Sequence, residues 1–121
     1  MADSARMRDL GELKEQVRAF VAERDWERFH SPKNLAMALS VEASELVELF
    51  QWMTEEESGA LDPERRRRAA EELADVLWFL VRISDRLGID LLEAAELKLA
   101  ANERKYPADK VRGKSAKYTE Y

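Results

Sequence analysis

The sequence of 121 residues is poor in several residue types, and each shortage narrows what the protein can be. It has no cysteine, which excludes disulfides and thiolate metal sites. Only four glycines and three prolines interrupt it, and 37% of its residues are charged, a composition typical of helical proteins. Its longest apolar run, residues 76–81, is far too short to span a bilayer. We therefore expect one all-α domain without a membrane segment.

Charge and the N-terminal segment narrow the choice of partner and location. The net charge of −5 opposes nucleic-acid binding by overall attraction. The opening segment MADSARMRDLGELK lacks the apolar centre of a signal peptide. We expect a soluble, cytoplasmic protein that binds neither nucleic acid nor membrane. The four arginines 65–68 are interpreted as a solvated face that balances nearby acids.

Hydrophobic periodicity and capping residues predict four helices. They cover roughly residues 6–28, 31–57, 63–87 and 90–106. The basic remainder, 108–121, is predicted to be a flexible tail, so that residues 1–107 form the domain.

The third predicted helix is apolar around much of its circumference. Leu73 and Leu77 belong to its expected stripe, and Trp78, Phe79 and Val81 extend the apolar surface well beyond one face. A helix that is apolar on several sides is usually buried on several sides. A lone four-helix unit offers little to cover the second side, so we expect a homo-oligomer, either a dimer or a tetramer.

Two pairs of acids stand among these apolar stripes. In the second helix, Glu42 falls inside the stripe and Glu45 at its edge, whereas Glu48 falls on the outer side. In the third helix, Glu72 and Asp75 are three residues apart and therefore neighbours on the helix surface. A carboxylate in a buried stripe is costly unless it is paired or binds a metal.

The acids admit two interpretations. If the second and third helices are antiparallel, the four carboxylates can share one cavity, where oxygen ligands without His or Cys select Mg²⁺ or Mn²⁺. Alternatively, they are solvated surface pairs, or they form salt bridges between subunits of a non-catalytic helical interaction module. In the metal-binding case, Glu45 is our first candidate for orienting or deprotonating a water molecule.

The acidic pattern and its surroundings resemble a known family. The pairs Glu42-x-x-Glu45 and Glu72-x-x-Asp75 are similar to the signature of the MazG-like nucleoside triphosphate pyrophosphohydrolases. Many of these have a further acid at the position of Val41. The segments around the acids resemble the dCTP pyrophosphatase branch in particular, and they read ERDWERFHSPKNLAMALSVEASELVELFQW, EELADVLWFLV and KLAANERKYP.

The resemblance implies a four-helix MazG-like bundle completed by oligomerisation. It implies Mg²⁺-dependent hydrolysis of dCTP, or of a modified dCTP, to the monophosphate and pyrophosphate, as nucleotide-pool housecleaning. The ligands would be Glu42, Glu45, Glu72 and Asp75. The same chemistry on dUTP or on oxidised purine nucleotides is the alternative within the family.

Substrate-binding residues are expected on three segments. The resemblance places Lys98, Asn102 and Tyr106 near the phosphates and the sugar, although a basic helix end of this kind is also favourable on its own. Trp26, His30 and Trp52 could form a base pocket by stacking and hydrogen bonding, and Phe79 could pack on the sugar. Trp78 is interpreted as core.

Overall fold

The computed structural model describes residues 6–114, and every regular element within that range is helical. None of the helices within residues 6–114 combines the length and the hydropathy needed to span a bilayer. The all-α prediction is confirmed. The elements are α1 (Leu10–Glu23), a 3-10 turn (Glu27–Phe29), α2 (Pro32–Phe50), α3 (Glu55–Ser58), α4 (Pro63–Leu87), α5 (Leu91–Lys105) and α6 (Ala108–Val111).

Local capping chemistry sets both ends of α4, and the prediction for this helix is confirmed. The Asp62 carboxylate accepts from the backbone N–H of Arg65, and Pro63 occupies the first turn, where its missing N–H costs nothing. Gly88 ends the helix at φ 67, in the left-handed region that glycine enters without strain.

The first two predicted helices were too long. Helix α1 begins only after Asp9, whose side chain caps it, and it ends before Asp25, whose φ of 54 interrupts the helical backbone. Helix α2 stops at Phe50, and a separate short helix, α3, follows a capping box formed by Thr54 and Glu57. The T-x-x-E pattern of such a box is present in the sequence, so this break was predictable.

Internal packing divides the chain into two compact units, the first ending at Gly88 and the second beginning at Ile89. In the first unit, α4 packs against both α2 and α1. Burying an apolar side chain of this kind stabilises the fold by about 1.5–3 kcal/mol. The buried apolar side chains come from all three helices and are Val17, Val21, Leu35, Leu49, Ala69 and Val81.

Part of the apolar surface of α4 stays uncovered within the chain. Val81 is buried, but Leu73 and Leu77 of the expected stripe are 55% and 39% exposed. Helices α1 and α2 therefore cover one side of α4, and described apolar residues on another side stay exposed, as predicted.

The second unit contains α5 and α6. Asp90 caps α5 by accepting from the backbone N–H of Glu93, as predicted, and α5 ends at Lys105. The short α6 covers Ala108–Val111 of the predicted tail. Residues 115–121 of that tail lie outside the described residues, so the domain boundary at 107 stays a prediction.

Candidate functional site

The packing of α2 against α4 brings the two predicted pairs of acids together. Glu42 and Glu45 are on α2, and Glu72 and Asp75 are on α4. Each offers one carboxylate oxygen, and these four oxygens all lie within 4.8 Å of one another. The sequence spacing put each pair on one side of its helix, and the helix packing places the pairs face to face. We call these four residues the acidic cluster.

Burial makes the acidic cluster electrostatically strained. Glu42 and Glu72 are half-buried, and the Oε2 atom of each is buried without a hydrogen-bond partner among the described residues. Burial, followed by a hydrogen bond to Glu45 and repulsion from the other acids, raises the pKa of Glu42 from 4.5 to about 7. Burial and Glu45 also raise the pKa of Glu72. Both groups would ionise more readily with a cation nearby.

The acidic cluster fits a divalent metal ion. Its donors are all carboxylate oxygens, which Mg²⁺ and Mn²⁺ prefer over softer ligands. One oxygen each of Glu42 and Glu72 is buried without a hydrogen-bond partner in residues 6–114, and such groups usually have a partner, either in the protein or in a bound ion or water. Solvated surface pairs would not leave buried oxygens unpaired. The geometry therefore suits such an ion, and the role of Glu42, Glu45, Glu72 and Asp75 as metal ligands stays a prediction.

Acids next to the acidic cluster are exposed to solvent, so the partly buried environment is confined to the cluster itself. Glu48 on α2 is exposed, as predicted. Glu71, directly beside Glu72 in the sequence, is exposed and forms an ion pair of 2.7 Å with Arg67 one turn earlier. One position along the helix thus separates an ordinary surface acid from a member of the acidic cluster.

An aromatic cluster surrounds His30. The centroid of the His30 ring lies 6.4 Å from the ring centroid of Trp26 and 5.9 Å from that of Trp78. The ring centroid of Phe20 lies 5.7 Å from that of Trp26 and 6.3 Å from that of Trp78. Phe79 adjoins Trp78 at 4.9 Å. Phe79 also follows Asp75 by one helical turn, so that the aromatic cluster and the acidic cluster occupy successive turns of α4.

Two arginines of α4 hold His30. Arg82 donates from Nε to the His30 Nδ1 atom over 3.1 Å, and Arg86 donates from Nε to the His30 backbone oxygen over 3.0 Å. Burial, followed by the charges of Arg82 and Arg86, lowers the pKa of His30. The imidazole is therefore neutral at neutral pH.

Arg82 was not among the predicted site residues, although the sequence carries a signal for it. Arg82 is almost fully buried, with a relative exposure of 2%. It stands between apolar residues in the segment LVRIS, the same kind of anomaly that singled out the acids. A buried charge needs partners, and Arg82 has them in His30 and Asp85.

Comparison with known proteins decides the family. A model of the MazG-like family matches residues 37–121. The chain belongs to the MazG-like family. It is 48% identical to human dCTP pyrophosphatase 1 and 44% identical to the bovine protein of that name, in each case over 92% of this chain. The chain spans about two thirds of the length of these relatives, 66% and 67%.

A solved structure gives the same answer for the fold. The crystal structure of a pyrophosphatase from Archaeoglobus fulgidus superposes with a TM-score of 0.78 at 39% identity, covering 84% of this chain and 95% of that one. The predicted resemblance to the MazG-like family and its dCTP pyrophosphatase branch is confirmed. These relatives also support the predicted enzyme class, a nucleoside triphosphate pyrophosphohydrolase.

The tryptophans of this MazG-like chain are arranged differently from the prediction. Trp26 and His30 belong to the aromatic cluster, as expected of a shared pocket. Trp52 is 89% exposed and takes part in no ring contact between described residues, so the structure does not bring it to Trp26. Trp78, interpreted as core, is instead half-buried beside His30. Trp52 stays a candidate for base binding.

The remaining predicted substrate-binding residues lie in the second unit. Lys98 and Asn102 are four positions apart on α5, hence on one side of that helix. Tyr106 follows its last turn and donates its backbone N–H to the Asn102 carbonyl oxygen over 2.8 Å. Their contact with phosphates or sugar stays a prediction.

Proposed function

We propose that this chain hydrolyses a nucleoside triphosphate to the monophosphate and pyrophosphate, with dCTP or a 5-substituted dCTP as the substrate. The acidic cluster carries the proposal, because four carboxylates lie close together and two of them have a buried oxygen without a hydrogen-bond partner among the described residues, an arrangement that a divalent cation would stabilise. The names of the mammalian relatives, dCTP pyrophosphatase 1, support both the reaction and the base.

In this proposal the acidic cluster holds Mg²⁺, with Mn²⁺ as a substitute. When bound, the ion offsets phosphate charge and makes a water molecule more acidic. Glu42 and Glu72 supply the half-buried ligand oxygens, and Asp75 supplies an exposed one. Glu45 interacts with the carboxyls of both Glu42 and Glu72, a central position from which it can also orient the attacking water and accept its proton.

The aromatic cluster provides the base site. Trp26 is 41% exposed, so part of its ring surface is available for stacking, which every base tolerates. Discrimination between bases therefore needs a polar group, and His30 is the polar member of the cluster. Phe79 lies one turn of α4 beyond Asp75, at a position suited to the sugar that links the base to the phosphates. That Lys98, Asn102 and Tyr106 contact the phosphates or the sugar stays a prediction from the family resemblance.

The proposal includes self-association into a homodimer or homotetramer. Leu73 and Leu77 on α4 are exposed, as are Met37, Val41 and Val47 on α2. Exposed large apolar side chains on two helices that pack together favour coverage by a second copy of the chain. The cytoplasmic location stays a prediction.

The decisive experiment is a panel of nucleoside triphosphates incubated with Mg²⁺, in which pyrophosphate release is measured separately from orthophosphate release. We expect pyrophosphate, with the highest kcat/KM for dCTP or a 5-substituted relative. A preference for dUTP or oxidised purine nucleotides would replace the substrate and keep the reaction. Absence of any release would favour the alternative of a helical interaction module.

A further inference from the structure

We infer that Arg82 is a positioning residue that holds His30 in the tautomer with its proton on Nε2, and thereby sets the preference for cytosine over uracil. The inference rests on the proposed function, in which His30 faces the base. It assigns a role to a residue that contacts neither the acidic cluster nor, in this proposal, the substrate.

The direction of the hydrogen bond determines the tautomer. A guanidinium has only donors, so the His30 Nδ1 atom, 3.1 Å from Arg82 Nε, must present a lone pair. The imidazole is neutral, since burial and the charges of Arg82 and Arg86 oppose its protonation. A neutral imidazole with an unprotonated Nδ1 carries its single proton on Nε2.

The surroundings of Arg82 keep this arrangement in place. Its Nη1 atom lies 3.4 Å from an Asp85 carboxylate oxygen. Asp85 is in turn held by Arg18 of α1 through two hydrogen bonds of 2.6 and 3.1 Å. This chain of charged groups fixes the guanidinium between α1 and the His30 ring.

The structure maintains Arg82 at a cost. The Arg82 Nη2 atom is buried with no hydrogen-bond partner among the described residues, which is unfavourable for a charged donor. A chain that only needed to fill this space could use an apolar side chain of similar length. Retention of a charge under these conditions is typical of a functional position.

The tautomer matters because the pyrimidines differ in what they offer to His30. The N3 atom of cytosine has a lone pair and accepts a hydrogen bond, whereas N3 of uracil carries a proton and donates one. A fixed Nε2–H therefore pairs with cytosine and meets another donor in uracil. Sites built to hydrogen-bond one partner can reject the mismatched partner by large factors.

The test compares two arginines that both contact His30. Arg82→Met removes the donor to the ring, whereas Arg86→Met removes a charge and a donor to the backbone only. We expect Arg82→Met to lower the ratio of kcat/KM for dCTP to that for dUTP by about tenfold or more. Arg86→Met and the conservative Arg82→Lys should keep most of the selectivity, and kcat for dCTP should change less than KM.

A spectroscopic measurement reads the tautomer without any turnover. His30 is the only histidine in the sequence, so ¹⁵N NMR of the ring reports on it alone. In the metal-free wild type we expect a protonated Nε2 and an unprotonated Nδ1, and addition of dCMP should shift the Nε2 signal more than dUMP does. In Arg82→Met the two tautomers should exchange. The wild-type spectrum alone tests the tautomer of His30, even if Arg82→Met folds poorly.

Three results would overturn the inference. One is a protonated Nδ1 in the wild type. Another is an Arg82→Met protein with mixed tautomers and unchanged selectivity. The third is equal loss of selectivity in Arg82→Met and Arg86→Met. Failure of the proposed function gives a different result: the wild type releases no pyrophosphate from any nucleotide, while His30 still carries its proton on Nε2. That result overturns the role of Arg82 in base selection but leaves the tautomer assignment in place.

Discussion

Replacing Glu42 with Gln should stabilise the metal-free protein at alkaline pH while removing a metal ligand. The Glu42 carboxyl is half-buried, its Oε2 atom has no hydrogen-bond partner among the described residues, and three other acids are close to it. The folded state must therefore keep a charge where burial and repulsion both oppose it. A neutral amide of nearly the same shape removes that cost.

The pKa of Glu42 gives the size and sign of the effect. A rise from 4.5 to about 7 would correspond to about 3 kcal/mol at about 1.4 kcal/mol per unit. Because the group is half-buried and screened by solvent, we expect about 1–2 kcal/mol. A raised pKa favours the folded state below pH 4.5, and this contribution is lost as the pH rises through about 7. The gain from Glu42→Gln should thus appear at pH 8 and vanish near pH 4.5.

Urea unfolding in EDTA at the two pH values measures this difference. Glu48→Gln is the matched control, because Glu48 is an exposed acid on the same helix outside the acidic cluster, and its variant should match the wild type. Adding Mg²⁺ should then stabilise the wild type more than Glu42→Gln, since a ligand that binds the folded state shifts unfolding by mass action. The reasoning would be refuted if Glu42→Gln were less stable than the wild type at pH 8. It would also be refuted if the free energy of unfolding of Glu42→Gln differed from that of the wild type by the same amount at both pH values.

Three further predictions concern activity and assembly. Glu72→Gln should lower kcat/KM by about 100-fold or more, because loss of a group that only supports a metal ligand can already lower activity by up to about 100-fold. The adjacent Glu71→Gln should keep kcat/KM near the wild-type value. Equal losses in the two variants would argue against the acidic cluster as the metal site. Trp26→Ala should raise KM by about tenfold with a smaller effect on kcat, since stacking persists in the ground and transition states, and a loss confined to kcat would contradict that role. Leu73→Glu should lower the molar mass measured by light scattering toward that of the monomer. Glu71→Gln, which changes an exposed acid, should leave the molar mass unchanged. An unchanged mass in Leu73→Glu would place the interface elsewhere.

Local sequence chemistry by itself determined several features. The limits of α4 follow from Asp62, Pro63 and Gly88, because capping and proline geometry act within one helical turn. The choice of Glu42 and Glu72 over exposed acids such as Glu71 follows from helical periodicity, which assigns each position to a side of its helix. The overlong first and second helices show the limit of periodicity, which does not sense a single residue such as Asp25 leaving the helical region.

Only the tertiary structure decided which side chains meet across helices. His30 and Arg82 are 52 residues apart in the chain, and their contact depends on how the loop after α1 lies against α4. The same packing places Trp78 beside His30, and within the described part of the chain it leaves Trp52 exposed without a ring contact to Trp26. Periodicity states that a side chain lies on one side of its own helix. The partner it finds there is set by the packing of whole helix surfaces, which is a property of the assembled fold.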